Sequence, residues 1–383
     1  MTESENERAL RVALGGFLAL VAAMGIGRFL FTPALPMMPG LGPVEAGYVA
    51  SANFAGYLAG ALLGALPAMT ARAGKVLLAA LALSVLTTGA MTITTTPLAW
   101  ALLRFAGGLA SAWVLVTAST LVTARLAAAG RAELSALHFA GVGGGIALSA
   151  LLASPLLVGA EDWGVVWLVG AGAALLAGCG AVLLIPRQSA ALQAIGKTSV
   201  DAPIGSLWRL VTAYGAVGFG YVITATFIVA ILREGGGSRT AEAAVWGLVG
   251  LAAMPSILLW RLAAMRVGTI RAMQVAMLVE AFGIAAGALL GGTAALAVAA
   301  FCLGATFMAL TAIGLQEAVR RAPGRAQTVI ALMTAAFGLG QIVGPALAGW
   351  LRAETGSFTA PTMLAAAVLL GGAMVLWPME KKR

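Results

Sequence analysis

Two arginines, Arg28 and Arg104, lie within long apolar stretches of the sequence. A guanidinium keeps its charge at any ordinary pH, and burying it in an apolar environment costs about 3 kcal/mol on insertion scales. We therefore expect each arginine to face an aqueous cavity, a carboxylate or a bound anion. The alternative for both is a position near the end of the apolar stretch, where a long side chain reaches polar surroundings.

Further polar side chains interrupt the apolar stretches at helical spacing. Asn53 and Tyr57 are one helical turn apart, and Ser111 lies two turns after Arg104. Residues at this spacing share one face of a helix, where they can contact a polar solute or form hydrogen bonds between helices. The remaining candidates for solute contact are Tyr221, Thr224, Thr226 and Gln341.

Two titratable side chains also lie in apolar stretches: Glu280, and the single histidine, His138. Burial favours the neutral form of a carboxylic acid, so Glu280 is a candidate for carrying a proton. An imidazole ordinarily titrates between pH 5 and 8. For each residue the alternative is a structural hydrogen bond to a neighbouring helix.

Other arrangements that would indicate chemistry are missing from the sequence. Cys179 and Cys302 lie in separate apolar stretches, so neither a disulfide framework nor a thiolate metal site is expected. The glycine run at 143–145 is inside an apolar stretch and is not a phosphate-binding loop. The basic residues form no continuous face, which argues against nucleic-acid binding. We expect no metal, no cofactor and no enzymatic activity.

The elements that position these residues follow from composition. Of the 383 residues, 61% are apolar and 10% charged, far below the quarter expected of a soluble domain. The apolar residues form blocks of about 20, the length of a helix that crosses a bilayer. We predict an all-α integral membrane protein with twelve transmembrane helices at 12–36, 46–69, 76–94, 98–121, 134–157, 163–185, 208–232, 241–262, 272–291, 294–317, 327–350 and 358–378.

The distribution of basic residues across these spans supports the count, because cytoplasmic loops of membrane proteins are enriched in lysine and arginine. With both termini inside, 18 of the 23 basic residues fall in inner loops or termini. The outer loops contain Arg233, Arg239 and Arg352, and the spans contain Arg28 and Arg104. The sequence therefore predicts two cytoplasmic termini.

Short stretches of the first half recur in the second. Residues 25–28, 72–75 and 130–133 match residues 218–221, 266–269 and 324–327 in the same order, at a shift of about 194 residues. Six spans lie within this shift, so the halves share one orientation across the membrane. This is the parallel repeat of major facilitator transporters, in which substrate binds between the halves. We predict six-helix bundles at 1–187 and 207–383, with a cytoplasmic linker at 188–206.

The chain resembles the YbfB/YjiJ-type branch of the major facilitator superfamily over essentially its whole length. The similar segments are residues 25–36 (GIGRFLFTPALP), 51–60 (SANFAGYLAG), 218–227 (GFGYVITATF) and 250–255 (GLAAMP). The resemblance implies a permease of the bacterial inner membrane, in a branch that is largely without assigned substrates.

The superfamily's inner-loop motif, Gly-x-x-x-Asp-Arg-x-Gly-Arg/Lys, remains here in part. Pro67 stands at its first glycine position and Ala71 at its aspartate position, so the acidic residue of the motif is absent. The resemblance implies a gating role for this loop and for its counterpart in the second half. The gating candidates are Arg72, Gly74, Lys75, Arg266 and Gly268.

Together these observations predict a secondary transporter for a small organic solute. An anion is slightly favoured, because Arg28 and Arg104 would make the binding cavity positive. Energy must come from an ion gradient or from the gradient of the substrate itself, since no ATP-binding module is present, and protons are the expected coupling ion. We expect a monomer in the lipid bilayer. The alternatives are an efflux permease for drugs or toxic compounds, and a membrane receptor or scaffold without transport activity.

Overall fold

The computed structural model describes residues 3–159, 162–186 and 207–380, of which nearly all are helical and none forms a strand. The predicted linker at 188–206 and the basic C-terminal residues 381–383 lie outside this part. Twelve long helices contain most of the described residues: α1 (Asn6–Met37), α2 (Pro43–Gly64), α3 (Ala73–Ala90), α4 (Pro97–Ala128), α5 (Ser135–Leu152), α6 (Trp163–Leu184), α7 (Trp208–Glu234), α8 (Arg239–Val267), α9 (Thr269–Leu290), α10 (Gly292–Arg321), α11 (Ala326–Thr355) and α12 (Thr359–Glu380).

The predicted membrane-spanning architecture is confirmed. Within the described ranges, eleven helices are long and apolar enough to cross a membrane. The twelfth, α2, has the required length at 22 residues, but it carries Tyr48, Asn53 and Tyr57. These polar residues lower its hydropathy, and two of them, Asn53 and Tyr57, are predicted candidates for solute contact.

Some helices end at different residues from the predicted spans, because the end of a helix need not coincide with the end of an apolar block. The second span was expected to reach residue 69, but α2 ends at Gly64. Leu66 is extended there because the following Pro67 disfavours the helical region for the residue before it. By contrast α4 continues to Ala128, beyond the expected residue 121, because its last turn contains Arg125 and the strong helix formers Leu126, Ala127 and Ala128.

The chain divides into two compact units. Of the described residues, 3–40, 52–159 and 162–186 belong to the first unit, and 41–51 and 207–380 belong to the second. In the first unit α1 packs on α5 and α6, and α3 packs on α4 and α6. In the second, α7 packs on α11 and α12, and α9 packs on α10 and α12. Each pairing recurs six helices later, as the internal sequence repeat predicts.

Glycines allow the close helix contacts in both units. A Cβ added to Gly145 of α5 would lie 2.6 Å from the Cα of Gly25 in α1. In the second unit, a Cβ added to Gly218 of α7 would lie 3.0 Å from the Cα of Phe337 in α11. Small residues at such positions let two backbones approach in a membrane, where helix association depends on van der Waals packing.

Candidate functional site

Helix α1 is irregular around Arg28. It changes from an α-helix to a π-helix over Val21–Ile26, then continues as two short α-helical segments, Gly27–Phe29 and Phe31–Ala34. Pro33 contributes to the irregularity because it has no backbone N–H for the helical ladder. Single π-helical turns inside α-helices occur frequently at functional sites. Arg28 therefore lies in a segment whose backbone is typical of functional sites.

Three aromatic rings surround the guanidinium of Arg28. Its Cζ lies 4.1 Å from the ring centroid of Tyr57, 4.6 Å from that of Phe54 and 5.5 Å from that of Phe29. The residue is 4% exposed. Each ring face attracts a cation, and the interaction strengthens away from water. The rings thus favour this position of the charged group.

Part of this guanidinium is left without a protein partner. Nε and Nη2 of Arg28 are buried, and neither donates a hydrogen bond within the described part of the chain. None of the carboxylates in that part forms a salt bridge with Arg28. Buried donors without an acceptor are costly, and the cost is greater when the group is charged. The Nε–Nη2 edge is therefore the polar surface in this unit that most needs an acceptor.

Arg104 uses its guanidinium differently. Its Nη1 donates to the carbonyl oxygen of Gly27 at 2.8 Å, and its Nη2 donates to that of Arg28 at 2.6 Å. Its Cζ also lies 5.1 Å from the ring centroid of Phe31. These bonds satisfy backbone acceptors where α1 is interrupted. Arg104 thereby fixes the backbone that carries Arg28, and the structure brings the two predicted arginines together.

The next contact ties α2 to α4. Asn53 is fully buried, and its Nδ2 donates to the carbonyl oxygen of Arg104 at 2.7 Å, while its Oδ1 has no partner in the described residues. The helices are close here: a Cβ on Gly108 would lie 2.9 Å from the backbone nitrogen of Tyr57. Ser111, also fully buried, donates to the carbonyl oxygen of Gly108 within its own helix at 2.8 Å.

In the second unit, two other predicted residues meet. Gln341 of α11 donates through Nε2 to the hydroxyl of Tyr221 in α7. The Tyr221 ring stacks on Phe307 at 5.4 Å and on Phe337 at 5.6 Å between centroids. Oε1 of Gln341 is buried without a partner in the described residues. Thr226 is also buried in α7, one turn and a half beyond Tyr221.

The two titratable candidates lie apart from these groups. Glu280 is fully buried, and the hydroxyl of Thr306 in α10 donates to its Oε2 at 2.9 Å. Its Oε1 has no partner among the described residues. His138 is also fully buried, and its Nε2 lies 2.9 Å from the hydroxyl oxygen of Ser119 in α4. A hydrogen bond to a neighbouring helix is thus present at both.

The gating candidates lie at helix ends within their units. Arg72 precedes α3, Gly74 and Lys75 lie in its first turn, and Arg266 lies in the last turn of α8. Gly268 joins α8 to α9 with φ +90°, which favours glycine. Its counterpart Gly74 is helical, so the matching loops of the repeat differ in backbone conformation.

Several residues of these clusters escaped the sequence analysis. Phe54 and Phe29 contact Arg28, and Phe307 and Phe337 contact Tyr221. Phe54 lies three residues before Tyr57, and that helical spacing is a signal that could have identified it. The other rings have no comparable signal, because an aromatic residue in an apolar helix is ordinary core. In the described part of the chain, no group of three or more histidine, cysteine, aspartate or glutamate residues could hold a metal ion.

This fold, with paired helices repeated across two units, is that of a membrane transporter of the major facilitator class. Two solved structures share it. The nucleoside transporter NupG matches with a TM-score of 0.75 and 17% identity, over 98% of this chain and 100% of that chain. A point mutant of NupG matches with a TM-score of 0.76 and 16% identity, over 97% of this chain and 99% of that chain.

The family is more specific than the fold. Residues 20–377 match the family described as uncharacterised MFS-type transporter YbfB. The chain therefore belongs to this family of MFS-type transporters, and the predicted resemblance is confirmed. No curated protein sequence matches the chain.

Proposed function

We propose that this protein transports a small organic anion across the bacterial inner membrane by alternating access, coupled to protons, and that Arg28 binds the anion. The observation that carries this proposal is the buried Nε–Nη2 edge of Arg28, which lacks an acceptor among the described residues. Membership of a transporter family makes a transported solute the natural source of such an acceptor. We also propose a monomer with both termini in the cytoplasm.

Two other arginines of the chain support the choice of an anion. Arg233 donates through Nε and Nη2 to the two carboxylate oxygens of Glu242, at 2.6 and 2.7 Å. Arg320 uses the same two nitrogens for Glu317, at 2.8 and 2.7 Å. A guanidinium edge of this kind binds a carboxylate through two parallel hydrogen bonds. At Arg28 the equivalent edge is the one without a partner, so a carboxylate or similar oxyanion fits it.

The aromatic rings add selectivity to the proposed site. The Arg28 guanidinium lies over the rings of Tyr57 and Phe54, and its Nε and Nη2 are left without a partner among the described residues, so the rings and a bound anion can contact the same group. A lysine at this position would keep the charge but lose the planar two-point contact. Rings also exclude water, which strengthens the attraction between the guanidinium and an anion.

The anion proposal can be tested with the purified protein in detergent. Organic carboxylates are screened by thermal shift against uncharged comparators, including nucleosides, because a bound ligand raises the unfolding midpoint. A charged hydrogen bond contributes about 1.5–3 kcal/mol, so Arg28→Gln should weaken binding of the best carboxylate by about 100-fold. Arg28→Lys should weaken it by about tenfold, since one ammonium replaces a two-point contact. Arg261→Gln, an exposed arginine on α8, is the matched control and should bind as the unmodified protein does.

Results that would reject the anion are equally specific. Stabilisation by lipophilic cations alone, unaffected by Arg28→Gln, would indicate an efflux permease. Stabilisation by a ligand that never crosses proteoliposome membranes would indicate a receptor. Affinity for carboxylates that survives Arg28→Gln would remove Arg28 from the proposed site.

Proton coupling is proposed for Glu280. The hydroxyl of Thr306 lies 2.9 Å from Glu280 Oε2 and 2.7 Å from the carbonyl oxygen of Cys302. A hydroxyl has one hydrogen and can direct it fully at only one of these two acceptors. A neutral carboxyl at Glu280 would supply the second hydrogen, so this pair is suited to holding and releasing a proton.

Transport assays in proteoliposomes can measure proton coupling and substrate movement separately. With Glu280→Gln we expect accumulation driven by a pH gradient to fall to the background level, while exchange of labelled for unlabelled solute continues. The matched control is Glu354→Gln, an exposed carboxylate at the end of α11, which should retain both activities. Gradient-driven accumulation that is unchanged in Glu280→Gln would exclude this residue as the coupling site.

A further inference from the structure

The second unit contains a cavity that is separate from the residues discussed above, apart from Thr224. Its volume is about 340 Å³, and it lies between the ends of α7, α9, α10 and α12. That volume is within the range of small-molecule pockets and exceeds several-fold the roughly 30 Å³ of one water. Its walls include Ile228, Ile231, Ile284, Leu296 and Phe358.

The charges around this cavity exclude an ionic ligand. No lysine or arginine of the described residues lines it, and its single lining carboxylate is Glu234 at the rim. Arg352 already pairs with that carboxylate, with its Nη2 3.2 Å from Glu234 Oε2. An anion would find no counter-charge, and a cation would have to displace Arg352. Burying an ion there would therefore carry an uncompensated desolvation cost.

Two hydroxyls provide the polar part of the site. Thr224 of α7 and Thr362 of α12 both line the cavity, and each is at least nine-tenths buried. Neither Oγ1 has a hydrogen-bond partner among the described residues. Rotation about χ1 moves the hydroxyl between staggered positions, and the hydroxyl hydrogen itself rotates freely, so each threonine can direct a donor or acceptor toward a ligand in the cavity. Buried hydroxyls normally have a partner, and here the described part of the protein supplies none.

We infer that this cavity binds an uncharged amphiphile, with an alkyl chain against the isoleucines and a hydroxyl group hydrogen-bonded by Thr224 and Thr362. The inference goes beyond the proposed transport of an anion through Arg28, because it concerns other residues and a ligand of different charge. The ligand can be a free alcohol or the hydroxyl-bearing head group of an uncharged lipid, since the recognised chemistry is the same.

Photolabelling tests the inference in the full-length protein. A diazirine derivative of 1-octanol is added to protein in phosphatidylcholine nanodiscs, irradiated, and mapped by peptide mass spectrometry. We expect saturable labelling of residues 284–299 or 357–362 that excess 1-octanol abolishes. Competition by dioctanoylglycerol as well would identify a lipid source, whereas competition by 1-octanol alone would identify a free alcohol.

Variants connect the labelling to the cavity. Ala288 lines it, so Ala288→Phe should reduce the saturable labelling at least fivefold, while Ala286→Phe, on another face of the same helix, should not. The double variant Thr224→Val, Thr362→Val should reduce saturable labelling by the octanol derivative three- to tenfold. Labelling by a diazirine alkane without a hydroxyl should be unchanged. Non-saturable labelling, or labelling that Ala288→Phe does not alter, would show that the cavity holds only water or bulk lipid and would overturn the inference.

Discussion

Arg28 and Arg104 illustrate how two residues of one type take different positions in one site. Both are buried and both contact aromatic rings. Arg104 donates through Nη1 and Nη2 to two backbone carbonyl oxygens and leaves only its Nε unpaired among the described residues, whereas Arg28 leaves both Nε and Nη2 without acceptors there. The hydrogen bonds of Arg104 stabilise the unliganded protein. The unpaired donors of Arg28 destabilise it, and a bound ligand that accepts from them would remove that destabilisation.

This difference predicts opposite effects on stability. Arg104→Met leaves the carbonyl oxygens of Gly27 and Arg28 without a donor, so we expect a loss of about 2–5 kcal/mol in unfolding free energy. Arg28→Met removes a buried unpaired charge and keeps an apolar contact with the rings, so its unfolding midpoint should be equal or higher. Thermal unfolding in one detergent measures both. A loss in Arg28→Met as large as that in Arg104→Met would contradict the assignment of an unsatisfied edge.

The sequence identified Arg28, Arg104, Asn53 and Tyr57 as one set because polar residues in apolar helices are costly wherever they face lipid. It did not distinguish Arg104, which fixes the backbone, from Arg28, whose whole Nε–Nη2 edge has no acceptor among the described residues. That distinction depends on which carbonyl oxygens α1 leaves unpaired, and these are set by the π-helical segment Val21–Ile26 and the break at Leu30.

At the scale of elements, the contact of α2 with α4 brings these residues together. Asn53 and Tyr57 lie in α2, Arg104 lies in α4, and the glycines at the crossing determine how closely the helices approach. Where Gly108 faces the α2 backbone there is no room for a side chain. The distance between the helices, and with it the hydrogen bond from Asn53 to the Arg104 carbonyl, depends on that glycine.

A single added methyl group should therefore loosen the site. In Gly108→Ala, the Cβ would lie within 3 Å of the α2 backbone, and we expect the overpacked crossing to cost about 1–3 kcal/mol and to weaken ligand binding. Gly172→Ala in α6 is the matched control: nothing lies within 4 Å of its added Cβ, and alanine favours a helix by about 1 kcal/mol. Unfolding midpoints that fall equally in both variants would argue against a specific packing effect at the crossing.

At the scale of the whole molecule, two features organise the chain: the internal repeat and the distribution of basic residues. Each unit pairs its helices in the same order, and glycines contact the partner backbone in α1–α5 and again in α7–α11. The sequence showed this repeat as three short matches at one shift. Those matches fall at helix ends and close contacts, where backbone geometry restricts the residue type more than it does along lipid-facing surfaces.

The basic residues predict an orientation in the membrane that can be measured on one helix. In a variant with Cys179 and Cys302 replaced by serine, we introduce Thr95→Cys before α4 or Ala128→Cys at its other end, both at exposed positions. The excess of basic residues in alternate loops predicts that an impermeant maleimide labels Thr95→Cys in intact cells, and Ala128→Cys after permeabilisation. The reverse pattern would place the termini outside the cell.

The sequence by itself determined the helical membrane architecture, the repeat and the family. It could do so for two reasons. A chain that crosses lipid must satisfy its backbone hydrogen bonds within helices, and the side chains of such helices must be apolar where they face lipid, which the sequence shows directly. Tertiary structure alone decided which predicted residues meet. It joined Arg28 to Phe54 and Tyr57, Arg104 to the α1 backbone, and Gln341 to Tyr221. These contacts depend on the rotation and closeness of helices far apart in the chain, which spacing along one helix does not encode.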